Sequence, residues 1–267
     1  MTGTVSLAFL VGTALVSGTV APEAQPLRPA VSLSGVSPRQ APLISLSSLD
    51  QQLLEAVRQG DLTGIERAIQ QGADVDAGDS YRGYGVAIAT AQGNRQILQS
   101  LISQGANVNV IGTDGQTPLS KAVEMGNTEL VAMLVVAGAN PDVAPAYRPS
   151  PLYRATETGH LEIVRLLVQA EANPNVASAG MTPLYRAVET GNAAIVQLLL
   201  VGGANPNPSF QGVTPLHRAV ETGNVDLVRL LLSYGANPQT RVRGRSVLTI
   251  AQEQGNRAIA DLLRAAL

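Results

Sequence analysis

The chain has 267 residues and a formal net charge of -2, and 14% of its residues are charged. This balance argues against the basic surface that nucleic-acid binding requires. The chain has no cysteine, which excludes disulfides, cysteine-ligated zinc and a thiol nucleophile, and its two histidines are too few for a multi-histidine metal cluster. We expect no cofactor and no nucleic-acid partner.

The N-terminal segment, residues 1–21, resembles a signal peptide. Residues 5–16 are apolar and are followed by three small residues, and this length fits a signal-peptide core better than a bilayer span. Residues 1–4 lack the usual Lys or Arg, and Pro22 blocks cleavage just before it. The segment is either an export signal or an uncleaved membrane anchor. We therefore expect a secreted or periplasmic protein, with or without a membrane tether; the alternative is cytoplasmic.

Residues 22–47 are rich in Pro, Ser and Ala and show neither a helical nor an alternating period. Such a segment buries too little apolar surface to order itself. The sequence predicts a disordered linker here.

Helical spacing of apolar residues begins at about Ser48, which is a suitable helix N-cap. After Gly60, Asp61 can cap a second helix that runs to Gly72. This first helix pair lacks the motif of the later ones, and its outward residues are polar. It is therefore predicted to be the N-terminal cap of a repeat array.

A ten-residue motif recurs in the rest of the chain. At residues 182–191 it reads Thr-Pro-Leu-Tyr-Arg-Ala-Val-Glu-Thr-Gly, and close copies occupy residues 117–126, 150–159 and 214–223. The same step of about 33 residues also connects earlier and later glycines. A period of this size predicts a solenoid in which each repeat is one supersecondary unit.

Each repeat can be interpreted as two short helices. Thr182 caps the first helix, Pro183 suits its first position, and Gly191 ends it in the left-handed conformation. Asn192 caps the second helix, whose apolar stripe ends at Gly203. Helices of two to three turns are unstable alone in water, so the repeats must stack to fold.

These motifs resemble the ankyrin repeat. The resemblance covers residues 48–267, which we count as about seven units including two caps. It implies an all-α solenoid of stacked helix-turn-helix units with β-hairpin-like fingers, and binding of a protein partner on the concave helix face and finger tips. The residues that carry it are Thr214-Pro215-Leu216-His217, Gly159-His160-Leu161-Glu162-Ile163-Val164, Leu230-Leu231 and Gly235-Ala236-Asn237.

Three units depart from the pattern. The second lacks the Thr-Pro pair before Gly85, so its first helix should begin less sharply. In the fourth unit Glu171 replaces a turn glycine, and a left-handed conformation there would cost about 1–2 kcal/mol. The last unit opens with Ser246-Val247-Leu248 in place of Thr-Pro-Leu and is predicted to be the C-terminal cap.

Charged pairs spaced i, i+3 occur on the first helix of four repeats, so the members of each pair share a helix face. One interpretation is a solvated salt-bridge ladder that adds about 0.2–0.5 kcal/mol per pair. The other is a polar recognition strip on the concave surface that the resemblance implies. The candidate residues are Lys121, Glu124, Arg154, Glu157, Arg186, Glu189, Arg218 and Glu221.

The second unit carries Ile88 and Ala91 at the positions of the charged pair, which predicts an apolar patch beside the ladder. Tyr153 and Tyr185 hold the position of His217 in neighbouring repeats. They are interpreted either as interface residues or as loop packing. Phe210 is expected to be exposed at a finger tip and to contact a partner, and Tyr147, Arg148, Arg241, Arg243 and Arg245 also lie at finger tips.

Both histidines fall on repeat positions and are interpreted as structural, and no acid–base pair, nucleophile motif or phosphate loop is present. The sequence therefore predicts a monomeric, non-catalytic protein-binding module. Its binding surface is expected to centre on Arg154, Arg186, Arg218, Tyr153 and Tyr185. Two alternatives remain: an inhibitor or immunity-type protein that blocks a secreted or periplasmic enzyme, and a membrane-tethered structural scaffold.

Overall fold

The computed structural model describes residues 46–79, 81, 83–144 and 148–267, without the side chain of Asp79. The predicted signal-like segment, all but the last two residues of the predicted linker, and Tyr147 lie outside the described residues. None of the described helices is long and apolar enough to cross a membrane.

The described residues form helices arranged as seven successive pairs, together with two short hairpins. This arrangement confirms the predicted all-α solenoid of stacked repeats. The elements are α1 (Ser48–Gln59), α2 (Leu62–Gln70), β1 (Gly78–Asp79), β2 (Gly83–Tyr84), α3 (Gly85–Ala91), α4 (Arg95–Ser103), α5 (Pro118–Glu124), α6 (Thr128–Val136), α7 (Pro151–Glu157), α8 (Leu161–Gln169), α9 (Pro183–Glu189), α10 (Ala193–Val201), α11 (Pro215–Glu221), α12 (Val225–Ser233), β3 (Arg241–Val242), β4 (Arg245–Ser246), α13 (Val247–Glu253) and α14 (Arg257–Ala266).

The first helices begin where their capping residues predict. Thr182 accepts a hydrogen bond from the backbone N–H of Tyr185, and Pro183 follows at the first helical position. The second unit confirms the expected weak start, because Tyr84 precedes α3 and makes no side-chain capping bond. The prediction for α1 was wrong by one residue: Ser47 is the N-cap, because it forms a reciprocal capping box with Asp50.

The helices stack in two rows. The first helices of successive pairs pack against one another from α1 to α13, and the second helices form a parallel row from α2 to α14. The core between the rows consists mainly of Leu, Ile, Val and Ala, with leucines such as Leu184 and Leu199 fully buried. Burial of each such leucine contributes about 1.5–3 kcal/mol, which short isolated helices lack.

The fingers between the pairs are narrow turns with defined tips. β1 pairs with β2 and β3 with β4 in antiparallel hairpins, and isolated bridges join Ser178 to Met181 and Phe210 to Val213. Three tips carry two successive residues with positive φ, the type I′ geometry that suits a two-residue hairpin turn. These tips are Ala179-Gly180, Gln211-Gly212 and Arg243-Gly244.

A ladder of Asn and Asp side chains ties each repeat to the next at the base of the fingers. The Oδ1 atom of Asn207 accepts the backbone N–H of Asn237 in the next repeat at 2.7 Å, and its amide donates to the carbonyl of Gly235 at 3.0 Å. The same cross-repeat bond recurs at 2.7–2.8 Å on four other side chains. We call this set the Asx ladder: Asp76, Asn109, Asp142, Asn175 and Asn207.

Replacement of Asn207 by Ala should lower the free energy of unfolding by about 1 kcal/mol, because two hydrogen bonds between repeats are lost. Asn207→Asp retains the acceptor for Asn237 and replaces the amide donor with a carboxylate oxygen, as at Asp142, so the two variants separate the contributions of the two bonds. Urea denaturation of the three proteins measures the difference. Equal midpoints for the Ala variant and the parent would mean that water replaces these bonds without loss.

The turn after α8 keeps the left-handed geometry, which is the condition under which the sequence predicts a cost at Glu171. Glu171 has φ 60°, whereas glycines with φ near 84° occupy the equivalent turns at Gly105, Gly138 and Gly235. The preceding unit also differs there, because Asp142 has a carboxylate where Asn109 and Asn207 have an amide that donates to the turn glycine. The turn therefore has a left-handed residue with a Cβ and lacks the usual side-chain donor.

We expect Glu171→Gly to raise the free energy of unfolding by about 1 kcal/mol and to raise the melting temperature, because it removes the left-handed strain. Gly203→Glu is the matched reverse change in the next repeat. A Cβ at Gly203 meets no atom within 4 Å, so its loss of stability would come from the backbone conformation alone. A melting temperature for Glu171→Gly that is unchanged or lower would contradict the prediction.

Candidate functional site

The charged residues of the first helices form a ladder that crosses repeats. Nη1 of Arg186 donates to Glu189 at 2.8 Å, and its Nη2 donates to Glu157 of the preceding repeat at 3.4 Å. Arg218 contacts Glu221 and Glu189 in the same way, both at 3.4 Å. We call the whole set the charge strip: Lys121, Glu124, Arg154, Glu157, Arg186, Glu189, Arg218 and Glu221.

Ion pairs hold the side chains of the charge strip in place, yet these side chains remain accessible to solvent. They are between 28% and 38% exposed, so solvent screens the pairs and each contributes at most about 0.5 kcal/mol. The hydrogen bond to Glu189 raises the pKa of Arg186 above its already high ordinary value, and burial partly offsets this effect. The guanidinium therefore stays charged at physiological pH, with two carboxylates holding its position.

Finger residues extend the strip at its N-terminal end. Lys121 lies 3.6 Å from Asp114 and 3.8 Å from Glu124, and Glu124 also pairs with Arg148 of the next finger at 3.3 Å. The hydrogen bond from Gln116 is the main cause of a lowered pKa at Glu124, to which Lys121 and Arg148 also contribute. Sequence reasoning missed Asp114 and Gln116, because no local spacing relates a finger to the helix beneath it.

The aromatic residues lie differently from the prediction. Tyr153 is 3% exposed and Tyr185 is 5% exposed, so both are packed inside the repeats and cannot form the contacting centre of the strip. Burial raises the pKa of both phenols. Phe210 was expected to be exposed, but it is half-buried and packs edge-on against Tyr185 with the ring centroids 5.6 Å apart. The packing interpretation therefore accounts for all three rings.

The predicted apolar patch is present where the ladder is interrupted. Ile88 and Ala91 on α3 line a concavity of about 290 Å³ between α3 and α5. Ala87 and Pro118 are its other apolar walls, and the polar residues Gln92, Thr113, Asp114, Gln116, Thr117 and Lys121 also line it, the last of them a member of the charge strip. This concavity, which we call the α3–α5 pocket, gives the strip an apolar site beside its first charged pair.

His217 is fully enclosed by the repeat. Its Nδ1 atom lies 2.8 Å from Oγ1 of Thr214 and 3.4 Å from Oγ1 of Thr240. Its Nε2 atom is buried and has no hydrogen-bond partner in the part of the chain that the structure describes. Burial lowers the pKa of His217, and the charge of Glu221 opposes this shift.

The other histidine, His160, is exposed at the start of α8. Among the described residues, no group of three or more His, Cys, Asp or Glu side chains could hold a metal ion.

The protein should lose stability as the pH falls from 7.5 to 5.5. Unfolding restores an ordinary pKa of about 6.5 to His217. The unfolded chain therefore binds more protons than the folded chain below that pH, and acid favours unfolding. Melting temperatures of the parent and His217→Tyr measure the effect, since the equivalent Tyr153 and Tyr185 are buried in their repeats.

The pH effect should shrink in His217→Tyr and persist in His160→Asn, which installs the capping residue of the other second helices. A pH effect of unchanged size in His217→Tyr would assign it to another group.

Comparison with known proteins finds similarity to ankyrin repeats over most of the chain. The ankyrin repeats family profile matches residues 53–145, 137–210 and 193–266. The human ASB11 ankyrin repeat domain is 30% identical, with a TM-score of 0.56, and the match covers 80% of this chain and 97% of that one. No curated protein matches the chain.

Two further solved structures are similar. The ankyrin repeat domain of Bcl-3, described as a member of the IkappaB protein family, is 28% identical with a TM-score of 0.63; the match covers 80% of this chain and 97% of that one. An ankyrin repeat domain from Acinetobacter baumannii AYE is 30% identical with a TM-score of 0.62, and the match covers 70% and 98% of the two chains.

Proposed function

Because this chain belongs to the ankyrin repeat family, we propose that it is a non-catalytic module that captures a protein partner on the charge strip and the adjoining fingers. Ankyrin repeat domains are generally protein–protein interaction modules and are typically non-catalytic. The family determines the fold, whereas the residues on the first helices and fingers of this chain determine which partner its surface accepts.

The observation that carries the proposal is the continuity of the charge strip across three repeats. Arg186 and Arg218 each bridge glutamates of two successive repeats. Folding requires only the capping, core and turn positions, and exposed pairs contribute little to stability. A regular row of charges that ion pairs hold in place on a solvent-accessible face therefore favours recognition of a protein partner.

The strip suits specificity more than affinity. Each arginine already has carboxylate partners, so a bound protein gains little from neutralising it. A partner must instead present opposite charges in the same alternating order, and a mismatch places like charges together. The accompanying fingers bring further charged groups to the strip, through Asp114 at one end and Arg245, which pairs with Glu253, at the other.

Inversion of the strip tests whether it recognises a partner. Exchanging Arg and Glu within three consecutive repeats reverses six of the eight charges of the strip, while each internal pair can re-form and the net charge is unchanged. The full-length variant should retain its helical circular dichroism and lose the partner captured by the parent from the native source. The six changes are Arg154→Glu, Glu157→Arg, Arg186→Glu, Glu189→Arg, Arg218→Glu and Glu221→Arg.

The matched control exchanges Glu162 and Arg165, a pair at 3.1 Å on α8 in the second row of helices. This variant should capture the partner as the parent does. Unchanged capture by the folded strip-inverted protein would overturn the proposal and leave the strip a stability feature. If the captured partner is an enzyme, an assay of its activity distinguishes simple binding from inhibition.

A further inference from the structure

The two ends of the array carry opposite charge. Residues 46–79 contain seven carboxylates and two arginines, a formal charge of -5, whereas residues 241–267 contain five arginines and two carboxylates, a formal charge of +3. The chain as a whole has a charge of only -2, so this polarity is hidden in the total. A long partner that lies along the array would therefore experience different fields at its two ends.

The basic end borders the surface proposed for binding. Arg245 on β4 donates to Glu253 at 2.9 Å, and Glu253 holds the position on α13 that Glu221 holds on α11. Arg241 and Arg243 lie on the same β3–β4 hairpin and are exposed, with Arg243 at its tip. The hairpin thus places arginine side chains next to the C-terminal end of the charge strip.

The apolar feature of the strip lies at its other end. In the α3–α5 pocket, Ile88 and Ala91 hold the helix positions that a charged pair holds in the next four repeats. Lys121 and Asp114, which also line the pocket, are paired with each other at 3.6 Å. The volume of about 290 Å³ is sufficient for one aliphatic side chain. The acidic first unit lies beyond it, so basic residues next to that side chain would be favoured.

We infer that the partner presents an extended segment of defined polarity, an inference that rests on the proposed function. At one end of the segment an aliphatic side chain enters the α3–α5 pocket, with Lys or Arg beside it. At the other end, acidic residues lie against the β3–β4 hairpin. Charge complementarity sets the direction in which the segment lies, and the pocket fixes its register.

The stacking of the helices sets the spacing of the two contacts. Four steps separate α5 from α13, and neighbouring helices pack about 8–10 Å apart, which gives roughly 32–40 Å. An extended chain covers about 3.3 Å per residue. The aliphatic residue and the centre of the acidic stretch should therefore be about 10–12 residues apart.

A synthetic peptide tests the inference directly. The probe is Lys-Leu-Lys, a spacer of about ten prolines and Glu-Glu-Glu, because a polyproline helix is extended at about 3.1 Å per residue. Fluorescence anisotropy with the full-length protein should detect binding that weakens as salt is raised. A peptide of the same composition with Leu between the glutamates, and one with about four prolines, should bind at least about tenfold more weakly.

Protein variants assign the two contacts. Ile88→Arg with Ala91→Glu gives the second unit the charged pair of the next four repeats, so the fold should tolerate it, and binding of the probe should fall about tenfold or more. Arg241→Glu with Arg243→Glu should weaken binding and reduce its salt dependence to that of the Lys-bearing end of the probe, and it leaves the Arg245–Glu253 pair unchanged in sequence. Val136→Arg, at a side chain 88% exposed on α6, is the control and should bind as the parent does.

Equal binding of the probe and the relocated-Leu peptide, or no binding at all, would overturn the inference. Association of the protein with itself in light scattering without peptide, abolished by Arg241→Glu with Arg243→Glu, would assign the charged ends to a second copy and would also overturn it. Loss of partner capture in the strip-inverted protein, together with failure of the probe, would reject this inference and leave the proposed function standing.

Discussion

The structure depends on stacking, because no helix pair can be stable alone. The first helices of the central repeats have only seven residues and the second helices nine, too few to be helical in isolated peptides. Each pair is stabilised by the apolar side chains it buries against its neighbours, as at Leu184 and Leu199. This requirement fixes the capping, core and turn positions of each repeat, and it leaves the solvent-accessible side of the first helices free to vary.

The same stacking turns local pairs into a surface. Neighbouring first helices lie close enough for Arg186 to contact Glu157 as well as Glu189, so the repeat period becomes the spacing of the charges. Buried Tyr153 and Tyr185 lie in the repeats that carry these pairs. Where the charged pair is replaced by Ile88 and Ala91, the surface acquires a pocket. A proposed partner surface therefore arises from variation at positions that folding does not constrain.

The junctions between repeats also rely on polar groups. The Asx ladder satisfies backbone N–H groups at the base of the fingers, which an irregular turn would otherwise leave to water. Glu171 marks the one helix-ending turn in the described chain where the αL position is occupied by a residue other than glycine. That exception lies in the middle of the array, where local backbone bonds from Glu171 to Val168 and from Ala172 to Leu167 close the turn.

The sequence by itself determined the repeat period, the helix starts and ends apart from the first N-cap, the cost of a left-handed turn at Glu171, the charged pairs within each helix and the apolar interruption at Ile88. All of these depend on residues a few positions apart, or on one residue's own conformational limits. Only the tertiary structure decided which glutamate each arginine shares, that Tyr153 and Tyr185 are buried, that Phe210 packs on Tyr185, and that Asx side chains bind the next repeat. Those contacts join residues 25 to 31 positions apart along the chain. They form only when the repeats stack, so local spacing in the sequence does not predict them.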